Sequence, residues 1–218
     1  MEPGRPVQLV RLDKEGGLTL DEEALSRCLE QGGVGDAPVC LVSIIGEQRR
    51  GKSFLLNYLL RRLRSPVAVL LVDTEGSMDL ERNKETSIKL CAMSMLLSSY
   101  QILNVGCQVK DPDLEYLEMF LQVAEVVGEA YGLEPVQHLD LLVRDSSSSL
   151  VLGAQGGEQH LRHVRQMLAA MSPCRHPKAL EALSRSSSRC YLMPFPGKRI
   201  STGNQGTLRD MDEDFGTA

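Results

Sequence analysis

The sequence predicts an α/β fold, with a mostly parallel sheet covered by helices on both faces in three layers. Three observations carry that expectation. Apolar runs short enough for buried strands alternate with amphipathic stretches of ten to twenty residues. The runs Val39–Ile45 and Val67–Val72 are apolar almost without interruption, as in parallel strands shielded on both sides. Between the first of these and the amphipathic run that starts Phe54-Leu55-Leu56 lies Gly46-Glu47-Gln48-Arg49-Arg50-Gly51-Lys52-Ser53, which fits G-x-x-x-x-G-K-[ST].

Taken in order, Val7–Leu12 reads as a short edge strand before a Gly16-Gly17 turn. Thr19-Leu20-Asp21-Glu22 reads as a capping box that opens a helix running to about Leu29 and stopping at Gly32-Gly33. The strand 39–45 and its loop lead into a helix from Lys52 to about Leu63, whose arginines (61, 62 and 64) suit a helix C-terminus and a solvated face. Strand 67–72 ends in Asp73-Thr74-Glu75-Gly76. Ile88, Cys91, Ala92, Met95 and Leu96 repeat at helical spacing over 84–97. A strand at 99–105, a helix from about Leu114 to Tyr131 and a strand at 139–143 follow. Ser146–Ser149 is a loop, Gly156-Gly157 precede a helix over about 158–171, and a short helix over 177–183 leads to the last strand, Cys190–Met193. Residues 1–35 are thus an N-terminal strand and helix joined to a core over 36–200, with an acidic tail over 201–218.

Composition sets the limits. The chain has 218 residues, enough for one large domain, and 42% of them are hydrophobic; only 4% are aromatic, so aliphatic side chains must do the packing. A net charge of −5 argues against a general nucleic-acid binder. The six cysteines show no C-x₂-C pair or zinc-ligand spacing, and Cys40, Cys91 and Cys190 fall in apolar runs, as reduced core thiols of a cytoplasmic protein do. No signal peptide, membrane-spanning run or prenylation signal is visible, and a soluble chain is expected. His160 and His163, one turn apart, read as surface imidazoles.

The chemistry gathers on the octet. Glycines let the backbone wrap a phosphate chain, while amide N–H groups and the helix N-terminus supply positive potential. Lys52 is expected to reach the β- and γ-phosphates and the Ser53 hydroxyl to ligate Mg²⁺. Asp73 is expected to hold Mg²⁺ through water, and the Gly76 N–H to sense the γ-phosphate. Gly46, Gln48, Arg49, Arg50, Gly51 and Phe54 complete the expected phosphate contacts. In an open parallel sheet the ligand lies outside the carboxyl ends of the strands, where Lys52, Asp73, Asp145 and the loop after Met193 all fall. Guanine presents N1–H and an exocyclic amine side by side, so a carboxylate such as Asp145 can accept both protons; adenine offers no such pair.

The usual N-K-x-D is absent, and Leu142-Val143-Arg144-Asp145 stands in its place. With the arginine-bearing octet, that R-D form resembles the atlastin and guanylate-binding-protein branch of the dynamin superfamily. Pro6-Val7-Gln8, the stretch around Glu23-Ala24-Leu25, Val67–Gly76, Gly156-Gly157 and Cys190–Pro194 look like segments of that branch in the same order, and a RING-finger-bearing neuronal member is similar over most of them. The resemblance implies a G domain that binds GTP and GDP, hydrolyses GTP with Mg²⁺, and dimerises through its nucleotide face, as a homodimer or with a longer form. It implies that Arg49 is the cis arginine finger, that Arg144 and Asp145 hold the base, and that Pro194–Lys198 cover it. Relatives are membrane-anchored.

Three features depart from the pattern. Only twenty positions separate Ser53 from Asp73, and Arg64-Ser65-Pro66 is the whole connection between helix and strand, so switch I and the edge strand 2 of the family have no room. No RING finger is visible, and the chain stops where a helical region and membrane anchor are expected. The expectation is therefore a shortened G domain that binds guanine nucleotide with impaired hydrolysis. A catalytically inactive module that pairs with partner G domains is the alternative, and an ATP-dependent enzyme fits Arg144-Asp145 poorly.

Overall fold

The structure, a computed structural model, describes residues 6–12, 17–30, 36–47, 50–63, 67–74, 84–146 and 151–202 together with Met211 and Phe215. Five strands form a wholly parallel sheet: β3 (Val39–Gly46), β4 (Ala68–Asp73), β5 (Tyr100–Val105), β6 (Leu139–Val143) and β7 (Ser188–Leu192). Their spatial order is β4-β3-β5-β6-β7. The order reverses direction beside β3, and such a switch point opens a crevice at the carboxyl ends of the strands. Among the described residues β4 is an outermost strand, paired only with β3.

Period-two alternation along the strands sends side chains to two layers. Ile45, Leu103, Leu141 and Val143 point to one face, where α3 (Lys84–Leu97), α4 (Asp111–Tyr131), α5 (Gly153–Ala170) and α6 (Pro177–Ser184) close a single large core. Ile44, Leu142 and Ile102 point to the other face, against Leu55, Leu56 and Leu59 of α2 (Lys52–Arg62). On α3 the expected stripe is the buried one: Cys91, Ala92, Met95 and Leu96 are all inside. A last short helix, α7 (Lys198–Thr202), follows β7.

The N-terminal segment differs from its sequence reading. β1 (Val10–Leu12) is not an edge of the main sheet but pairs antiparallel with β2 (Leu18–Leu20), Val10 opposite Leu20, in a separate hairpin. Thr19 is therefore committed to a strand and cannot cap a helix. Asp21 does so instead: its Oδ1 accepts the Ala24 N–H at 2.9 Å at the start of α1 (Glu22–Glu30). The expected stop at Gly32-Gly33 lies outside the described residues.

The second difference is in α5, which begins at Gly153, five residues before the expected start, and holds Gly156 and Gly157 inside it. The reason is close approach rather than helix breaking. A Cβ on Gly156 would stand 1.9 Å from the Val151 carbonyl oxygen, and one on Gly157 would stand 1.9 Å from that of Cys190 in β7. Both carbonyls are backbone, so neither can move aside without shifting a strand or turn. Gly157→Ala is expected to destabilise the fold by about 2–3 kcal/mol, as overpacking of rigid backbone does; the midpoint of a urea titration measures it, and an unchanged midpoint would contradict the contact.

None of the six cysteines forms a disulfide. Cys91 and Cys190 are buried as expected, Cys40 is half-buried, and burial pushes the Cys190 thiol up to about 12. Cys107 is exposed. A thiol-specific chromophoric reagent should label Cys107 in the folded chain and reach Cys91 and Cys190 only after denaturation. His163 is exposed, whereas His160 is half-buried and its own burial, with His163 beside it, lowers its pKa.

Candidate functional site

β3 delivers the chain to Gly46, which adopts φ 148° and pairs with Asn104 of β5. A Cβ there would stand 2.3 Å from the Asn104 carbonyl oxygen, so only glycine lets the loop leave the sheet at this point. The loop re-enters regular structure at Gly51, which occupies the N-cap of α2 without a capping side chain; no acid sits in the first helical turn. A helix end built in this way presents its dipole to whatever lies in front of it and favours an anion.

Lys52 is buried, with its ammonium folded back over the loop. Nζ donates to the carbonyl oxygens of Gly46 and Glu47, each at 3.0 Å. The lysine thereby ties the first two loop residues to the start of α2 and sets a full positive charge inside the bend. Arg50 is exposed and pairs with Glu47 at 2.5 Å; that hydrogen bond and its charge raise the Arg50 pKa, with Cys107 and Asp145 adding smaller contributions.

The Ser53 hydroxyl donates to the Asp73 carboxylate, so the end of β4 and the first turn of α2 meet in one hydroxyl–carboxylate pair. Both side chains are exposed. Among the described residues no group of three or more His, Cys, Asp or Glu side chains could hold a metal unaided. Two hard oxygens, with no third ligand of these types among the described residues, could serve a Mg²⁺ and do not make a zinc site. Thr74 is turned away: its Oγ1 donates to the Ile44 carbonyl oxygen at 2.6 Å.

At the end of β6, backbone bonds hold the turn on two sides: Arg144 N–H donates to Val105 O, Met193 N–H to Val143 O and Ser146 N–H to Met193 O, all within 3.0 Å. Asp145 sits at the centre of that turn with φ 55°, the one non-glycine residue among those described with positive φ. A left-handed aspartate costs on the order of 1 kcal/mol, and such strain collects where a side chain must be aimed. Arg144 is buried, with its guanidinium carbon 5.8 Å from the centroid of the Phe54 ring and 5.9 Å from that of Phe215. Nη1 donates to the Gly51 carbonyl oxygen at 3.4 Å. Burial lowers the Arg144 pKa, and Asp145 opposes that shift. Phe215, itself buried, also meets Tyr58 edge-on at 5.7 Å.

The described part of the site therefore joins Gly46, Arg50, Gly51, Lys52, Ser53, Phe54, Asp73, Arg144, Asp145 and Pro194 at the carboxyl edge of one sheet. Pro194 is buried, and its neighbour Phe195 is the exposed ring of that loop. Gln48, Arg49 and Gly76 lie outside the described residues. Two contributors went unread in the sequence. Phe215 carries no local signal, because its partners are more than 70 positions away. Asn104 has one: a polar residue near the end of an apolar strand beside the loop strand.

The chain matches the family described as guanylate-binding protein, N-terminal domain, over residues 15–66 and 64–218. It belongs to that family. RING finger protein 112 of Homo sapiens is 40% identical over 254 residues, covering 96% of this chain and 39% of the human protein. The Mus musculus protein of the same name is also 40% identical, over 94% of this chain and 37% of its own length. Atlastin of Drosophila melanogaster is 28% identical over 271 residues, 97% of this chain and 49% of its own. The chain thus spans between about a third and a half of the curated relatives it matches. This guanylate-binding-protein-type domain also differs from them internally. The family match divides at residues 64–66, and the human and fly alignments run over 254 and 271 positions against a chain of 218, so both relatives carry residues with no counterpart here.

Proposed function

We propose that this guanylate-binding-protein-type domain binds guanine nucleotide with Mg²⁺ and hydrolyses GTP poorly. The observation that carries the binding half is the uncapped, acid-free start of α2 with the Lys52 ammonium folded over the loop before it. In this reading Gly46, Arg50, Gly51 and Phe54 cradle the phosphates together with Gln48 and Arg49, and Lys52 offsets their charge. Ser53 and Asp73 would hold Mg²⁺, which when bound would supply further neutralisation of the phosphate oxygens. Asp145 accepts the two N–H groups of guanine, Arg144 props that carboxylate's strand end against the loop, and the segment from Pro194 covers the base. Arg49 is assigned the transition-state contact on the family resemblance alone, and Gly76 the γ-phosphate contact on its place in Asp73-Thr74-Glu75-Gly76.

The impaired-hydrolysis half rests on the chain between Ser53 and Asp73. α2 ends at Arg62 and β4 begins at Ala68, so the connection has no length for a loop that carries a second Mg²⁺-shell hydroxyl to the γ-phosphate. Thr74 does not replace it, because its hydroxyl is committed to β3. Losing one preorganised contact of this kind costs about 3 kcal/mol of transition-state stabilisation. Insertion of the corresponding relative's segment after Arg64 is expected to raise GTP turnover at least tenfold with GDP affinity within about threefold; equal turnover in both chains would refute the impairment.

The same short connection supports a second reading, an inactive module that pairs with partner G domains, alone or with a longer form. Absence of heat on titration with GTP and GDP, together with a measurable dimer, would favour it. No described helix is long and apolar enough to cross a membrane.

A further inference from the structure

Asn104 is wholly buried near the end of β5, in register with Gly46. Its Nδ2 donates to the Arg50 carbonyl oxygen at 3.0 Å. Its Oδ1 is buried and has no hydrogen-bond partner among the described residues. The two amide atoms cannot be exchanged, since that would set Oδ1 against another acceptor. A leucine would fill a similar volume without burying an unpaired oxygen, which costs stability. The amide therefore has a use that packing does not supply, and its one side-chain hydrogen bond among the described residues is with the loop.

That contact has a geometric consequence. In a planar trans peptide the C=O and the following N–H point in opposite directions. With the Arg50 carbonyl drawn down toward β5, the Gly51 N–H of the same unit is sent to the opposite side, away from the sheet. The next carbonyl, Gly51 O, accepts from Leu55 N–H at 3.0 Å as α2 begins and from Arg144 Nη1, just past β6, at 3.4 Å. Two successive carbonyls of the loop are thus held against the protein, and an anion-binding bend requires its carbonyls turned out of the bend and its N–H groups turned in.

We propose that Asn104 is a positioning residue for phosphate binding, its buried amide holding the Arg50 carbonyl toward β5 and so aiming the Gly51 N–H at the phosphate chain. This rests on the reading of residues 46–53 as a phosphate site but not on the identity of the base. The probes are inorganic pyrophosphate, followed by the Gly51 amide resonance, and GDP and ADP, followed by calorimetry. Asn104→Leu, which keeps the volume and removes the donor, is expected to melt no lower than the unsubstituted chain. It should nonetheless bind pyrophosphate and GDP about tenfold more weakly, with the GDP-to-ADP preference unchanged. A folded N104L that binds both within twofold of the unsubstituted chain would overturn the proposal, as would a loss confined to the base preference. Should N104L not fold, Asn104→Asp, isosteric but without the donor, is expected to show at least the same loss and is judged by the same limits. If the unsubstituted chain shifts its Gly51 amide with pyrophosphate yet binds no GDP, the guanine reading fails and the role of Asn104 is still decided by the pyrophosphate arm. If pyrophosphate leaves that amide unmoved, the proposal itself is overturned.

Discussion

Replacing Lys52 with alanine is expected to weaken GTP and GDP binding at least a hundredfold. The side chain does two things at once. In the proposed reading its charge faces the phosphates, and its two bonds to Gly46 O and Glu47 O, each at 3.0 Å, keep the loop folded over the start of α2. Charge-assisted bonds of this sort contribute about 1.5–3 kcal/mol each, and a hundredfold corresponds to about 2.7 kcal/mol, so the loss of one phosphate contact already reaches that figure. The loop carbonyls lose a partner as well. Calorimetry on Lys52→Ala measures the effect, and the melting curve shows whether the fold survives. Affinity within tenfold of the unsubstituted chain would remove the phosphate role from this residue.

The second large effect is expected at Asp145. Exchange for asparagine keeps the size and the tolerance for φ 55°, so the turn braced by Arg144, Ser146 and Met193 should stand. It replaces an acceptor-only carboxylate with a group that also donates, and one of guanine's two N–H groups then meets another donor. GDP affinity should fall at least a hundredfold, since a site built around a substrate's hydrogen bonds discriminates by about 10⁴–10⁵ when the match is lost. A purine with a carbonyl at the 2-position accepts from the new amide, so Asp145→Asn should prefer xanthosine diphosphate to GDP. Unchanged affinity for GDP would place the base elsewhere.

Much of this arrangement is legible in the chain. The helix over Lys84–Leu97 carries helical periodicity and the strand over Leu139–Val143 a short run broken only by Asp140, and both occur at the expected residues. The loop strand and α2 are displaced by a residue at most, because the glycines and the lysine between them admit one local geometry. What escaped detection depends on distant partners. Gly156 and Gly157 read as the lead-in to a helix, yet they lie inside it, where the Val151 carbonyl and the Cys190 carbonyl of β7 leave no room for a side chain. Thr19 has the composition of a cap but is consumed by pairing with Arg11 in the hairpin. The tether from Asn104 to the loop spans 54 positions, and the edge-on and tilted contacts of Phe215 with Tyr58 and Phe54 span still more. No window on the sequence joins them. The short path from Ser53 to Asp73 was legible by counting alone, and the division of the family match at residues 64–66 falls at the same place.

The most direct test is one calorimetric series on the unsubstituted chain with Mg²⁺, titrated with GTP, GDP and ATP, and with phosphate release followed in the same samples. Saturable heat with both guanine nucleotides, at least a hundredfold weaker response to ATP, and phosphate release far slower than nucleotide exchange are the expected results. No heat with GTP or GDP, or equal affinity for ATP, would contradict the account at its root.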